Sequence, residues 1–327
     1  MDHNVDQMRA AEKQMNRLGK QKQPFLFVID FEMKAPVILP LPLQDDRVLF
    51  DMGQWKHTGP EVDLPDSWTF QPSDVDRNAY ALAFEQVQSH IHQGDSYLVN
   101  LTQSCPVATN LSLLQLFHLA KARYKLYFRD QFVVFSPETF LTITDGQISC
   151  YPMKGTIDAR IPDAETILRN SEKETAEHMT MVDLIRNDLS RFAQQVRVKR
   201  CRYLDLITTS KGALWQMSSE ICGMLPEHFP EQIGTFLFSM LPAGSVSGAP
   251  KKKTVEIIRA VEGHRRGYYT GVFGYFDGEQ MNSAVMIRYL ERTKNGLIYK
   301  SGGGVTAKSQ LQAEYKEMIE KIYVPAG

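Results

Sequence analysis

The chain has 327 residues, 43% hydrophobic and 23% charged, the balance of an ordinary globular protein with enough length for one large core or two smaller ones. Its 37 basic and 38 acidic residues leave a formal net charge of −1, so no field of one sign is available to attract nucleic acid or an anionic membrane. No apolar run approaches the roughly 20 residues that cross a bilayer, no secretory apolar region opens the chain, and Cys105, Cys150, Cys201 and Cys222 form no C-x-x-C pair, all of which suits a soluble protein of the reducing cytoplasm.

Residues 1–23 are polar and rich in Lys and Gln, and they predict a helix or loose tail outside the core, ahead of a β-rich run over 25–31. The proline- and glycine-rich stretch 36–72 predicts short strands and loops. Over 75–92 the apolar residues Ala79, Leu82, Ala83, Val87 and Ile91 recur with helical period, and Gly94 closes that helix before an extended run over 97–101. Three dipeptides, Asp145-Gly146, Asp277-Gly278 and Asn295-Gly296, lie between β-rich runs, where two-residue hairpin turns need residues that tolerate positive φ. The last two predict a meander of strands over 271–276, 284–290 and 297–301, ending in Gly302, Gly303 and Gly304. Helices expected over 172–192, 251–262 and 310–322 pack against it. There is no internal repeat and no βαβ alternation, so antiparallel sheet is the main theme.

Glu174 and Glu177 stand three apart near the start of one expected helix, and Glu314 and Glu317 repeat the spacing on the last, so each pair shares a helix face. Two such pairs converging in space suit Mg²⁺, which prefers hard oxygen ligands. The same residues have plainer uses. Ser171-x-x-Glu174 and Ser309-x-x-Gln312 read as capping boxes, and Glu317 with Lys321 reads as a solvated i,i+4 pair. Lys154 follows a strand, with Gly155 beside it leaving room for a ligand; it is a nucleophile only if its surroundings free the amine, and otherwise a solvated lysine. A two-residue turn at Asp145-Gly146 makes paired positions sum to 291, which sets Glu138 opposite Met153 and beside Lys154. Strict pairing aims Glu138 and Lys154 at opposite faces, so either a three-residue loop with a glycine bulge or a bulge at Pro152 is expected to bring both to one face. The stretch 242–251 reads as a flexible loop entering a helix at Pro250, either a candidate anion site or a plain helix start. Arg288, in the middle strand of the meander, is either a carboxylate clamp or a surface arginine.

Taken in order, several motifs closely resemble the chorismate-utilising family over about residues 75–324. They are Gly94-Asp95-Ser96-Tyr97, Ser136-Pro137-Glu138, Lys154-Gly155-Thr156, the stretch from Glu177-His178-Met179 to Asp188, the 242–251 loop, Arg266-Gly267-Tyr268-Tyr269-Thr270-Gly271, Ile287-Arg288, and Glu314 with Glu317. The resemblance implies an α+β fold in which two stacked, largely antiparallel β-sheets carry flanking helices, with the site in a cleft between them. Residues 24–327 would form one catalytic domain with a shortened N-terminal part over 24–74. By the same resemblance Glu174, Glu177, Glu314 and Glu317 hold Mg²⁺, and the metal holds the ring carboxylate of chorismate. Arg288, Tyr269, Lys321 and the backbone of Gly302, Gly303 and Gly304 bind the substrate's carboxylates, while Thr156 and Ser245 line the cleft.

Two positions separate the chemistries within the family. Members that add water resemble this chain except for a lysine base where it has Leu98, and members that form anthranilate have alanine where it has Lys154. Lysine at that position implies formation of 4-amino-4-deoxychorismate: Lys154 attacks C2, Glu138 protonates the departing 4-hydroxyl, and ammonia then adds at C4 and expels the lysine. The enolpyruvyl group stays on, so an aminodeoxychorismate lyase must finish 4-aminobenzoate on the way to folate. No glutaminase motif occurs in the sequence, which implies a glutamine amidotransferase subunit, or solution, as the ammonia source. Gln216 and Lys308 depart from a frequent histidine and a frequent aspartate of the family. Anthranilate formation, and a non-catalytic homologue that binds chorismate or a partner subunit, are the alternatives.

Overall fold

Strands that are apolar at nearly every position dominate the middle of the molecule. In Phe25–Ile29 all five residues are buried, Phe25, Phe27 and Ile29 against helices and Leu26 and Val28 against a second sheet. Phe132–Ser136 does the same from the other side, with Val133 and Phe135 toward helices and Phe132 and Val134 between the sheets. Alternate side chains of one strand leave by opposite faces, so a strand buried on both loses its polar positions.

The computed structural model describes residues 2–209 and 212–326. Among them are two nine-stranded sheets, paired antiparallel. The first runs in the order Met153–Asp158, Gly212–Met224, Gln147–Cys150, Thr139–Thr144, Met281–Val285, Val272–Phe276, Phe25–Ile29 and Val37–Pro40, with Gln194–Thr209 also on Gly212–Met224. The second runs Gly248–Ala249, Leu98–Thr109, Gly296–Thr306, Tyr289–Thr293, Phe132–Ser136, Tyr124–Phe128, Val48–Met52 and Trp55–His57, with Phe70–Pro72 on Leu98–Thr109. The sheets stack through a shared layer that includes Leu26, Val28, Phe50, Phe132, Tyr269 and Phe273. Helices Glu172–Leu189 and Ile233–Met240 cover the first sheet, and Arg77–His92, Lys251–Val261 and Leu311–Glu320 the second. Among the described residues no helix is long and apolar enough to cross a membrane.

The α+β fold class stands as expected, but several local expectations change. Residues 2–20, expected outside the core, form the helix Asp2–Lys20, and Ala11, Met15 and Leu18 are buried in the first core. Their spacing of four and three, with Met8 partly buried against the same core, makes one narrow stripe on a largely polar helix. Asn16 secures it by accepting the Gly234 amide at 2.7 Å, where a Cβ on Gly234 would stand 2.4 Å from the Glu12 carbonyl oxygen. Helix Arg77–His92 forms, capped by Asp76, but its buried face is Tyr80, Phe84, Val87 and Ile91, while Ala79 and Leu82 point outward. The two aromatic rings set the phase, having far more surface to bury than alanine.

Of the three turns, only Asp145-Gly146 is the two-residue turn expected, with φ of 51° and 73°. The next hairpin pairs Phe276 with Met281 across a four-residue loop, because Asp277 Oδ1 accepts the amides of Glu279 and Gln280. The last turn is Lys294-Asn295, and Gly296 opens the returning strand. The meander itself divides between the two sheets. Met281–Val285 belongs to the first and Tyr289–Thr293 to the second, so the expected strand over 284–290 is a crossing, with Arg288 at its bend in the left-handed region, φ 52°.

Candidate active site

A second crossing runs alongside the first. Between Phe132–Ser136 in the second sheet and Thr139–Thr144 in the first, the chain passes through Pro137 and Glu138. The two crossings are hydrogen-bonded to each other, Phe135 N to Arg288 O at 3.1 Å and Val285 N to Glu138 O at 3.1 Å. Ser136 Oγ, fully buried, accepts the Glu138 amide at 3.1 Å and shapes the bend. A two-stranded ribbon thus turns from one sheet into the other, and its corner carries both an acid and a guanidinium.

Lys154 reaches the same corner from a third direction. The strand Gln147–Cys150 keeps the register expected of the Asp145-Gly146 turn, then the chain leaves it at Tyr151-Pro152 and pairs with Gly212–Met224 instead. Met153 therefore lies opposite Ser218 and not opposite Glu138 as expected, and the irregularity belongs to this other ladder, between Met153 and Thr156, which is opposite Gln216. Gly155 takes φ 88° there, which lets Lys154 leave the ladder's alternation. Its amine comes to rest on the glycine run: a Cβ on Gly304 would stand 3.0 Å from Lys154 Nζ and 3.0 Å from Leu98 Cδ1. On Gly303 a Cβ would meet Glu314 Oε2 at 3.6 Å and Lys321 Nζ at 3.7 Å. Lys321 also donates to the Gly302 carbonyl at 3.2 Å and pairs with Glu317 at 2.7 Å. The three glycines therefore form a floor without side chains, rimmed by the side-chain nitrogens of two lysines and a carboxylate.

Burial pushes the Glu138 carboxyl above its ordinary value of 4.5, against the opposing pull of the Ser245 hydroxyl, Lys154, Arg288 and Lys321. Burial also lowers Lys321, with Arg288 and Lys154 adding repulsion and Glu317 opposing. Tyr269 is buried beside Arg288 and Glu138, and its hydroxyl is pushed up chiefly by desolvation. Arg288 lies over the Tyr323 ring at 5.2 Å, and its Nε closes no hydrogen bond. Three basic side chains around one acid that resists ionising suit a small carboxylate ligand that must also receive a proton.

The four glutamates gather unevenly around this floor. Glu177 and Glu314 are buried and joined through one corner: Thr306 Oγ1 donates to Glu177 Oε1 at 3.3 Å, Ser309 Oγ donates to Glu314 Oε1 at 2.6 Å, and the Thr306 amide donates to Ser309 Oγ at 3.1 Å. Ser309 is thus a partner of Glu314; the last helix starts at Leu311 with Gln310 in the cap position, in place of the expected box with Gln312. Ser171 does cap its helix, accepting the Glu174 amide at 3.3 Å. Glu174 Oε2 lies over the lysine bulge, 3.0 Å from where a Gly155 Cβ would be. Glu317 is exposed and turned toward Lys321. Among the described residues, no three carboxylate, imidazole or thiol groups are drawn close enough to hold a metal as they stand.

The 242–251 loop is neither flexible nor open. Ala243, Gly244, Val246, Ser247 and Ala249 are buried, and Gly248–Ala249 pairs with Val99 and Leu98. Arg266 Nη1 donates to the Val246 carbonyl at 2.7 Å and Ser96 Oγ to the Ala249 carbonyl at 2.9 Å. At the helix start Lys251 meets the chain's own Asp188 at 2.6 Å. This rigid loop presents Ser245 to Glu138. Thr156 is exposed on its strand. Sequence reasoning passed over Thr306 and Ser309 as the hydroxyls that orient Glu177 and Glu314, and over Ser219, whose Oγ lies 2.7 Å from the buried His178 Nε2. Burial, then the charges of Arg202 and Lys154, push that imidazole down to about 4, so it stays neutral.

Residues 51–327 match the family described as chorismate binding enzyme. A relative named as an uncharacterised PabA-like protein, from Pasteurella multocida, is 49% identical over 323 residues, 98% of this chain and 99% of the relative. Aminodeoxychorismate synthase component 1 of Escherichia coli is 33% identical over 265 residues, 76% of this chain and 57% of that one. The structure of MenF, the menaquinone-specific isochorismate synthase of Escherichia coli, aligns with a TM-score of 0.73 at 15% identity, over 97% of this chain and 81% of its own, which is a likeness of fold.

Proposed function

Since this chain belongs to the family of chorismate binding enzymes, we propose that it converts chorismate and ammonia to 4-amino-4-deoxychorismate through a covalent adduct on Lys154. The observation that carries the reading is that Lys154 Nζ and Leu98 Cδ1 both come within 3.0 Å of where a Gly304 Cβ would stand, with Lys154 among the groups acting on the buried Glu138. A nucleophile and an acid are thereby offered to one ligand, and leucine supplies no base for water at that position.

In this reading Arg288, Lys321 and the glycine floor hold the substrate's carboxylates, with Tyr269 at the back and Ser245 and Thr156 along the cleft. The Lys154 amine forms a C–N bond at C2, the ring double bonds shift, and the C4–O bond breaks as Glu138 gives its proton to the leaving water. Ammonia then bonds to C4, the double bonds shift back, and the C2–N bond breaks to return Lys154. Burial favours the protonated Glu138 that the first step consumes. Glu174, Glu177, Glu314 and Glu317 are the proposed Mg²⁺ ligands, an all-oxygen set of the hardness that ion takes. Bound there, Mg²⁺ would supply positive charge for a substrate carboxylate. Ammonia would come from a glutamine amidotransferase subunit, and a separate lyase would release 4-aminobenzoate.

The test is to incubate the purified chain with chorismate, Mg²⁺ and an ammonium salt, and to identify products by mass and chromatography. The expected product keeps the enolpyruvyl group and yields 4-aminobenzoate when a lyase is added. Anthranilate, isochorismate or an absence of any ammonia-dependent product would overturn the proposal.

A further inference from the structure

A small cavity adjoins the proposed acid. Its volume is about 20 Å³, and its walls come from the Glu138 bend, the end of strand Gln147–Cys150, helix Glu172–Leu189 and the start of the 242–251 loop. About 10–15 Å³ is enough for one water-sized molecule, so the cavity takes a single molecule the size of water or ammonia and nothing with a second non-hydrogen atom. Phe140, Cys150 and Met240 are buried parts of the wall, and burial pushes the Cys150 thiol up to about 12, which keeps it uncharged. The polar parts include Glu138, Ser245 and the buried Asp188. Asp188 is held in a set orientation, because Lys251 Nζ meets its Oδ2 at 2.6 Å and also donates to the Met240 carbonyl at 2.8 Å. Among the described residues the walls themselves hold no lysine or arginine. An occupant therefore meets two carboxyl groups and a hydroxyl, a set that favours a molecule rich in N–H donors. Ammonia brings more donors than water, and ammonium more again with no lone pair left to satisfy.

We propose that this cavity is the ammonia subsite of the protein, a chamber for one molecule of the nitrogen nucleophile beside Glu138. The inference deepens the proposed function and rests on it. In that reaction Glu138 gives its proton to the leaving water and is left as a carboxylate while the substrate is held on Lys154. Ammonium in the chamber then passes one proton to Glu138: an N–H bond breaks, its electron pair stays on nitrogen, and an O–H bond forms. The ammonia so freed moves past Ser245 and bonds to C4. The ring double bonds shift back, the C2–N bond breaks with its electron pair returning to Lys154, and the new amine is left protonated. Glu138 again carries a proton for the next turnover, so one wall residue serves both halves of the reaction.

The experiment measures KM for ammonium and for chorismate, melting temperature, and the rate of adduct formation at Lys154 by intact mass without ammonia. It compares wild type with Cys150→Val, which adds a methyl group to the cavity wall, and with Cys222→Val, the same change at a buried cysteine of the adjoining strand that is not part of the wall. Cys150→Val is expected to raise the ammonium KM about 10-fold or more, the scale on which one misfitting methyl group is felt, with chorismate KM and the adduct rate kept. Cys222→Val should keep the ammonium KM of wild type. An unchanged ammonium KM in Cys150→Val overturns the proposal, as does an equal rise in both variants. Slowed adduct formation with the ammonium KM kept also overturns it, since the cavity would then serve the departing water. If Cys150→Val fails to fold, methylamine decides on the wild-type protein. Its extra carbon does not fit the chamber, so its kcat/KM, counted as free base, should fall about 10-fold or more below that of ammonia. Equal use of the two amines overturns the proposal, because the nucleophile then arrives by the open cleft. Wild type that forms no adduct at Lys154 and no ammonia-dependent product removes the proposed function itself, and the subsite with it.

Discussion

Glu138 and Arg288 occupy facing bends of one ribbon, and their positions are set by the backbone: Val285 donates to the Glu138 carbonyl and Phe135 to the Arg288 carbonyl, each at 3.1 Å. The acid is thus fixed independently of its own side-chain contacts. Its burial works against ionisation even with three basic side chains near it.

That arrangement has a cost that can be measured. A carboxyl whose folded pKa lies above its ordinary 4.5 favours the fold while protonated, and the contribution is lost as pH rises through the raised value. Glu138→Gln removes the ionisation and keeps the shape. Its melting temperature should match wild type at about pH 4 and exceed it at about pH 7.5, while kcat falls about 10²- to 10⁴-fold for loss of the proposed general acid. Thermal melts at the two pH values check the first part. A variant no more stable at the higher pH would mean that the cations win and Glu138 is ionised.

Two glycines should respond in opposite ways to the same added methyl group. At Gly304 the new Cβ meets only the tips of Lys154 and Leu98, which can move aside. Gly304→Ala should keep the wild-type melting temperature within about 0.5 kcal/mol of stability and lose turnover, because the lysine is pushed off the floor. At Gly248 the Cβ would stand 1.9 Å from the Leu98 carbonyl oxygen on a backbone of φ 135°, and no side-chain movement relieves that. Gly248→Ala should cost more than about 3 kcal/mol, the sum of clash and backbone strain. Denaturant titration of both variants separates the two roles.

Much of this was legible beforehand, and the failures have physical reasons. The turn at Asp145-Gly146 was readable because both residues take positive φ; at Asp277 the same dipeptide was overruled by a side chain that caps two later amides. The crossing at Arg288 was not legible, since the run over 284–290, apolar apart from that arginine, reads as one strand with no turn residue to mark a change of sheet. Spacing left the glutamates open between caps and ligands. The order of motifs along the chain pointed to the family, and the Thr306–Ser309 corner explains how Glu177 and Glu314, which are 137 positions apart in the numbering, come together. Ser309 was misread as a cap because three-residue spacing looks the same whether a hydroxyl serves an amide or a carboxylate. His178 carried no message alone, since its partner Ser219 is 41 residues away.

The Ser309–Glu314 contact also bears on the proposed metal. At 2.6 Å the hydroxyl orients one carboxylate oxygen and leaves the other toward Gly303. Glu314→Ala should abolish Mg²⁺ binding in the presence of chorismate, and Ser309→Ala should weaken it about 10-fold, the usual effect of removing a partner that orients a ligand. Calorimetric titration with Mg²⁺ gives both values without reference to turnover. Unchanged affinity in Glu314→Ala would remove that residue from the metal set.

The buried pair Arg266–Glu262 predicts a coupling between stability and activity. Arg266 Nη2 meets Glu262 Oε1 at 2.7 Å with both side chains almost wholly buried, and Arg266 also donates to the carbonyls of Val246 at 2.7 Å and Asn100 at 2.6 Å. Glu262 Oε1 in turn accepts the amide and hydroxyl of Thr102, each at 2.9 Å. Arg266→Met strands a buried carboxylate and two carbonyls, so it should cost about 3–5 kcal/mol. Glu262→Gln keeps an acceptor for Thr102 and a weaker one for Arg266, and should cost about 1–3 kcal/mol. Because Val246 follows Ser245 in the loop, the surviving fraction of Arg266→Met should also turn over more slowly than its folded concentration accounts for. Equal activity per folded molecule would show that Ser245 is held by the Gly248–Ala249 pairing alone. The loss of stability should change little between low and high salt, since a pair so enclosed is poorly screened.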